Sequence, residues 1–311
     1  MSVVRNEISL LNGGNGTKGS ALAHVIGAYV ALTKPKIMVM LIVTAYSAMM
    51  VAGHHVPSIL LTVKTLLGLA GSAGAGAALN MWYDRDIDGV MERTSARPLP
   101  SGVVSARAAF LFGIALAALS TVFLAVTVNG LTALLSLAGC AYYVVVYTMW
   151  LKRRTPQNIV IGGGAGAFPP LVGWAAVTGH LSWLAWLMFA VIFLWTPPHF
   201  WALALYKNED YVRANIPMLP VVKGFRHTKI QMLVYTLLLF ASTLVPCFFH
   251  GVTLVYTTLS LILGIGFTTL AIRCLMEPDH SMVWARRMFF GSLTYVPVWF
   301  LAIVIGSRGM F

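Results

Sequence analysis

Asn80, Asp84 and Asp88 stand four residues apart at the end of an apolar run. On a helix that spacing puts all three side chains on one face, with their oxygens converging on one small volume. Asp86 is rotated off that face and reads as a salt-bridge partner. Like-charged carboxylates at the edge of an apolar segment repel and are poorly solvated. A hard divalent cation offsets both costs, and magnesium suits a few carboxylates together with phosphate oxygens. The continuation from Met91 to Gly102 supplies Arg93 and Arg97, whose planar guanidinium groups match phosphate oxygens bidentately. Pro98 and Gly102 make it a shaped loop over the helix end. The plain alternative is a solvated helix end with scattered acids, and the neighbouring arginines argue against it. Carboxylates for a metal, guanidinium groups for phosphate and a greasy surround imply an amphipathic, diphosphorylated substrate.

Positioning such a site falls to membrane helices. The 311 residues are 59% hydrophobic and 10% charged, against roughly a quarter charged in a soluble domain. Apolar stretches near the 20 or so residues that cross a bilayer recur at about 37–53, 59–80, 107–128, 131–150, 157–178, 182–204, 230–249, 252–275 and 288–306. The expected fold is all-α, a polytopic membrane protein with nine transmembrane helices around a central cavity opening to the cytoplasmic side. Residues 1–30 read as a polar cytoplasmic tail and 31–311 as the membrane domain.

The net charge of +12 would suggest nucleic acid in a soluble protein, but here its distribution decides. Of 21 Lys and Arg residues, all but Lys64 and Arg308 lie in the tail or on one side of the spans. The positive-inside rule makes that side cytoplasmic, with the N-terminus in and the C-terminus out. All nine acidic residues share that side, which the rule does not explain, so their clustering needs its own cause. Cys140, Cys247 and Cys274 lack metal spacing and read as small core hydrophobes. The first 20 residues show no signal-peptide pattern, so a bacterial cytoplasmic membrane is the simplest address.

Asn80 to Asp88, followed by Arg93-Thr94 and Arg97-Pro98, resembles the first aspartate-rich motif of the UbiA-type intramembrane prenyltransferases. The likeness extends over nearly the whole chain after residue 30. Further blocks at Tyr147–Ile159, Gly162–Trp174, Trp195–Trp201 and Asp210–Pro220 are similar to the haem-farnesylating, haem O-forming branch of that family. The resemblance implies farnesyl diphosphate and haem B as substrates, magnesium as cofactor and haem O as product. It implies a catalytic set of Asp84, Asp88, Lys152, Tyr147 and His199. Arg93, Arg97, Lys152 and Arg153 would form the diphosphate cup, with Tyr147 one turn up. Docking of a haem-modifying or oxidase-assembly protein stays open. One departure matters: where the wider family has a second aspartate-rich motif, this chain has His199 and then Asn208-Glu209-Asp210. Metal ligands are expected from Asn80, Asp84, Asp88, Asp210 and, more weakly, Glu209.

Other groups carry a plain reading beside the chemical one. Lys152, Arg153 and Arg154 are a topogenic flank or a cationic cup. Gly162 to Ala167 lacks the context of a phosphate loop and reads as close helix packing. Pro169-Pro170 and Pro197-Pro198 break spans five and six and read as walls of a cavity. His199 is a hydrogen-bonded polar residue, or else a haem-iron ligand or a base. Trp82, Tyr83, Tyr147 and Trp195 are interface anchors or shields for an allylic cation. A transporter is the rival from another class, and it is disfavoured because the polar groups gather at one face rather than the midplane. A sister enzyme using a quinone precursor or a chlorin differs only in acceptor.

Overall fold

In a computed structural model the described residues are 16–92, 94–249 and 252–307, with the side chains of 16–22 left aside. Arg93 therefore lies outside the described residues, as do 1–15 of the expected tail. Among the described residues there are helices and no strands. Helix α1 (Gly16–Leu32) precedes the first span. The spans are α2 (Pro35–Gly53), α3 (Ile59–Tyr83), α5 (Ala106–Thr127), α6 (Gly130–Ala141, prolonged to Leu151), α7 with α8 (Asn158–Gly162, Phe168–Thr178), α9 (Trp183–Tyr206), α12 (Phe225–Leu244), α13 (Leu254–Met276) and α14 (Val283–Gly306). Short helices α4 (Arg85–Asp88), α10 (Asn208–Arg213) and α11 (Leu219–Lys223) lie in the linkers on one side. Nine of these units are long and apolar enough to cross a membrane, and each overlaps one expected from the apolar runs.

Tight turns on the far side are set by side-chain caps. Ser58, Asn129 and Ser182 accept hydrogen bonds from the backbone N–H of Leu61, Thr132 and Ala185, satisfying donors that a helix start leaves unpaired. The bundle closes on itself, with α14 packed against α2 as well as α13. Spans five and six are the most enclosed, while side chains such as Ile59, Val126 and Leu254 stand almost fully exposed, as lipid contact demands.

Without a hydrophobic drive between helices in lipid, close approach through small residues carries the packing. Gly173 of α8 lies so near α2 that an added Cβ would fall 2.1 Å from the Ala45 carbonyl oxygen. Of the two proline pairs, Pro169-Pro170 opens α8, where the missing N–H groups cost nothing. Pro197-Pro198 lies inside α9, so the carbonyls one turn earlier lose their helical donors.

The last three spans are tied by two buried charges. Lys229 of α12 is 1% exposed and donates to the Glu277 carbonyl at 2.7 Å and to Asp279 at 2.8 Å. The Glu277 carboxylate accepts from Ser281 and from the Trp284 N–H, capping the start of α14.

Candidate active site at the end of span two

The carboxylates are placed by a helix that changes label without losing register. The Asp84 N–H donates to the Asn80 carbonyl at 2.9 Å and the Asp88 N–H to the Asp84 carbonyl at 2.8 Å. Asn80, Asp84 and Asp88 thus keep the i, i+4, i+8 face expected from their spacing. All three are buried, Asp84 at 0% and Asp88 at 1% exposure, whereas the Asp86 side chain is 60% exposed.

Each buried carboxylate meets its own base. Asp84 accepts from Lys152 at 2.5 Å, from Arg153 at 3.4 Å and from the Asn80 amide at 2.7 Å. Asp88 accepts from Arg97 at 2.6 Å, and the Thr94 hydroxyl donates to its carbonyl, so the loop folds over the helix end. Asp86 is gripped by both terminal nitrogens of Arg153 at 2.7 Å. That pairing holds its carboxyl below the usual carboxylate range and raises the guanidinium in turn. Arg153 also lies over the Tyr83 ring. Since ionised carboxylates inside a membrane need paired charge, three acids and three bases form one interlocked unit.

Lys152 owes its position to an unusual stretch. From Tyr142 to Leu151 the backbone is a π-helix; the Lys152 N–H reaches back five residues to the Tyr147 carbonyl and the Thr148 hydroxyl to that of Tyr143. Such segments are rare and concentrate at functional sites. Thr148 receives the second hydrogen of the Asn80 amide at 3.1 Å. Tyr147 stacks on Tyr143 and lies against Gly162, where a Cβ would sit 2.2 Å from the ring; Gly163 likewise makes room for Thr196 of α9. The glycine run therefore seats site side chains as well as packing helices.

A residue read only as a topogenic base belongs here too. Lys34, at the turn between α1 and α2, donates to the Asn80 Oδ1 at 2.8 Å and to the Tyr143 hydroxyl at 3.3 Å. Its backbone is left-handed, with φ of 54°, a conformation that costs a non-glycine residue roughly 1–2 kcal/mol. Enclosure of the ammonium, with Arg97 and Lys152 nearby, pushes its pKa down to about 7. The Asn80 oxygen is thereby engaged by Lys34 while its amide hydrogens face Asp84 and Thr148. Lys34→Met is expected to raise the KM for a diphosphate substrate by roughly tenfold to a hundredfold, the weight of one charge-assisted contact, with kcat less affected. Steady-state kinetics checks this, and an unchanged KM would remove Lys34 from the site.

The other candidates separate. Asp210 is buried and faces Arg213 at 3.9 Å, while Glu209 is exposed. Among the described residues no three His, Cys, Asp or Glu groups gather closely enough to hold a metal by themselves. Asn158 ties the two blocks together, its amide reaching the carbonyls of Lys152 and Pro217. Trp82 packs on Phe110, Tyr83 lies under the Arg153 guanidinium and Trp195 stacks on His199. His199 is sandwiched between Trp195 and Phe289, with Nδ1 2.6 Å from the Ser292 hydroxyl. That hydroxyl has one proton, directed to the Phe289 carbonyl, so Nδ1 is the nitrogen that donates to Ser292.

Comparison with known proteins gives a concordant result. Residues 41–293 match the family described as UbiA prenyltransferase family. The chain is 54% identical over 282 residues, 91% of its length and 94% of the other, to the protoheme IX farnesyltransferase of Symbiobacterium thermophilum. It is 50% identical, over 89% of its length and 90% of the other, to that of Gluconobacter oxydans. Among solved structures it is similar to a digeranylgeranylglyceryl phosphate synthase, with TM-score 0.77, 18% identity and coverage of 92% and 99% of the two chains. It is also similar to a UbiA homolog from Archaeoglobus fulgidus bound to GPP and Mg2+, with TM-score 0.61, 19% identity and coverage of 89% and 99%.

Proposed function

Since this chain belongs to the UbiA prenyltransferase family, a family of multi-pass membrane enzymes, we propose that it transfers the farnesyl group of farnesyl diphosphate to a vinyl group of protohaem IX, giving haem O and diphosphate. The observation that carries the reading is the buried pair Asp84 and Asp88, each paired with a base at the end of a span, in a chain half identical to farnesyltransferases of that name.

The donor set fits a divalent cation: two buried carboxylates on one face with an amide beside them, oxygen chemistry suited to magnesium. Asp84 and Asp88 would hold it, joined by the Asn80 Oδ1 once Lys34 releases it to the diphosphate, with Asp210 as the buried acid of the neighbouring linker and Glu209 set aside by its exposure. When bound, magnesium supplies positive charge to the diphosphate oxygens as the leaving group departs.

The chain's own residues do the rest. Lys152, Arg153, Arg97 and Lys34 offer the diphosphate a preorganised positive cup, and Arg93 is proposed to join them. In a dry site such charge costs no reorganisation at the moment of bond cleavage. The allylic C1–O bond breaks as the terminal vinyl carbon forms its bond to C1, the electron pair leaving with diphosphate and the positive charge passing to the vinyl carbon attached to the macrocycle. Water then adds to that second carbon and loses a proton, giving the hydroxyethylfarnesyl side chain. Tyr147 presents a π face near that end of the bundle. His199, whose Nδ1 is taken up by Ser292, would use Nε2 to orient haem by its iron or to accept the proton. We place the site on the cytoplasmic side of a bacterial inner membrane, by the positive-inside bias.

Full-length protein in nanodiscs, given haem B and farnesyl diphosphate, is expected to form haem O by mass spectrometry, to stop on chelation and to recover with added magnesium. Turnover undiminished by the chelator would sink the metal reading. Prenylation of 4-hydroxybenzoate in place of haem would sink the acceptor.

A further inference from the structure

The connection between α13 and α14 carries charge that prenyl transfer does not use. Arg273 lies in the last turn of α13 and Arg286 and Arg287 in the second turn of α14. Trp284 sits between two of them, with the Arg287 guanidinium 4.6 Å and the Arg273 guanidinium 5.7 Å from its ring centre. Beside it is an open recess of about 440 Å³, lined by Arg273, Met276, Glu277, Ser281, Val283 and Trp284. The one carboxylate in the recess, Glu277, is committed to the Ser281 hydroxyl and the backbone N–H groups of Trp284 and Ala285. Among the described residues none of the three arginines has an acidic partner within ion-pair distance.

Three unpaired guanidinium groups at the end of a span call for an anion. The surface around them says what else the ligand has: Met276, Val283 and Phe290 are each more than half exposed and lie on the lipid-facing ends of the same two helices. A ligand matching both is anionic at one end and apolar at the other. We propose that the Arg273–Trp284–Arg287 recess binds the headgroup of an anionic glycerophospholipid, its acyl chains running down α13 and α14 past Met276 and Phe290. Basic pockets between spans recognise such headgroups in just this way. The Trp284 ring holds the two flanking guanidinium planes in place, sparing the side-chain entropy of ordering them on binding.

The test uses full-length protein in phosphatidylcholine nanodiscs titrated with phosphatidylglycerol, followed by native mass spectrometry of retained lipid. Wild type is expected to retain phosphatidylglycerol in preference to phosphatidylcholine. The double substitution R273Q/R287Q is expected to weaken that retention roughly thirtyfold, with R107Q, an exposed base on α5, as the unaffected control. If the double variant melts early in pure phosphatidylcholine, R273Q alone is read instead, with a loss of roughly fivefold. Equal retention of the two lipids by wild type, or retention unaltered in the variants, overturns the proposal. Displacement of the lipid by millimolar inorganic phosphate does so too, because the recess then takes any phosphate and not a lipid.

Discussion

Asp84→Asn is expected to lower kcat/KM for prenyl transfer by at least about a thousandfold, the scale of losing a preorganised charge at a metal and phosphate site. The substitution keeps the shape of the side chain and its place on the α3 face. It removes the charge that Lys152 holds at 2.5 Å and Arg153 at 3.4 Å, and one oxygen becomes a donor aimed at those two bases. The bases are partly exposed, so they turn toward water and the fold survives with a modest fall in melting temperature. Asp86→Asn is the internal comparison. Its carboxylate is on the exposed side of the same turn, where an ion pair contributes about 1 kcal/mol or less, so its effect on turnover stays within about tenfold. Kinetics of the two variants side by side decide the matter: equal losses would show that charge near the helix end, and not the Asn80–Asp84–Asp88 face, carries the reaction.

Gly173→Ala, at the one glycine of α8, is expected to be strongly destabilising for the addition of a single methyl group. Alanine ordinarily stabilises a helix by about 1 kcal/mol over glycine, so a loss here reports geometry alone. The added carbon would sit 2.1 Å from the Ala45 carbonyl oxygen and 2.8 Å from its carbon. Both are backbone atoms of α2, and no rotamer change relieves them. The helices must part along their length, at a cost of about 3 kcal/mol or more, the upper range for overpacking. Gly166→Ala, where a Cβ meets nothing within 4 Å, is expected to be close to neutral. A thermal melt of the two in the same detergent checks this, and equal melting points would mean that α2 and α8 are not in rigid contact.

What could be read from the chain depended on how local the cause was. The spans were legible because an apolar run of bilayer length has few alternatives, and the Asn80 face because register needs only continuity of one helix. Lys34 was not legible as a site residue. It stands among topogenic bases, and only a left-handed turn between α1 and α2 delivers its ammonium to Asn80. The π-helix before Lys152 was equally hidden, since Tyr, Val and Trp residues fill an α-helix or a π-helix alike. Glu209 and Asp210 are adjacent acids; which one turns inward is set by how a six-residue helix seats against the end of α9 and against α11. Lys229, a connector base by position, is buried because its partners arrive from the far end of the chain.

That last separation bears on how the protein is made. The partners of Lys229 follow it by 48 and 50 residues, which at roughly 5–20 residues per second is several seconds of synthesis. Until they emerge, its ammonium has no counter-charge and is held at the water boundary, because unpaired burial is prohibitive. Span seven is therefore expected to settle at its final depth only after span eight has crossed and returned. The Glu277 carbonyl and the Asp279 carboxylate then complete the surroundings of the ammonium, while the Glu277 carboxylate caps span nine. The three C-terminal spans are expected to insert as one unit, and a chain arrested before residue 277 to leave its seventh helix shallower than in the finished protein.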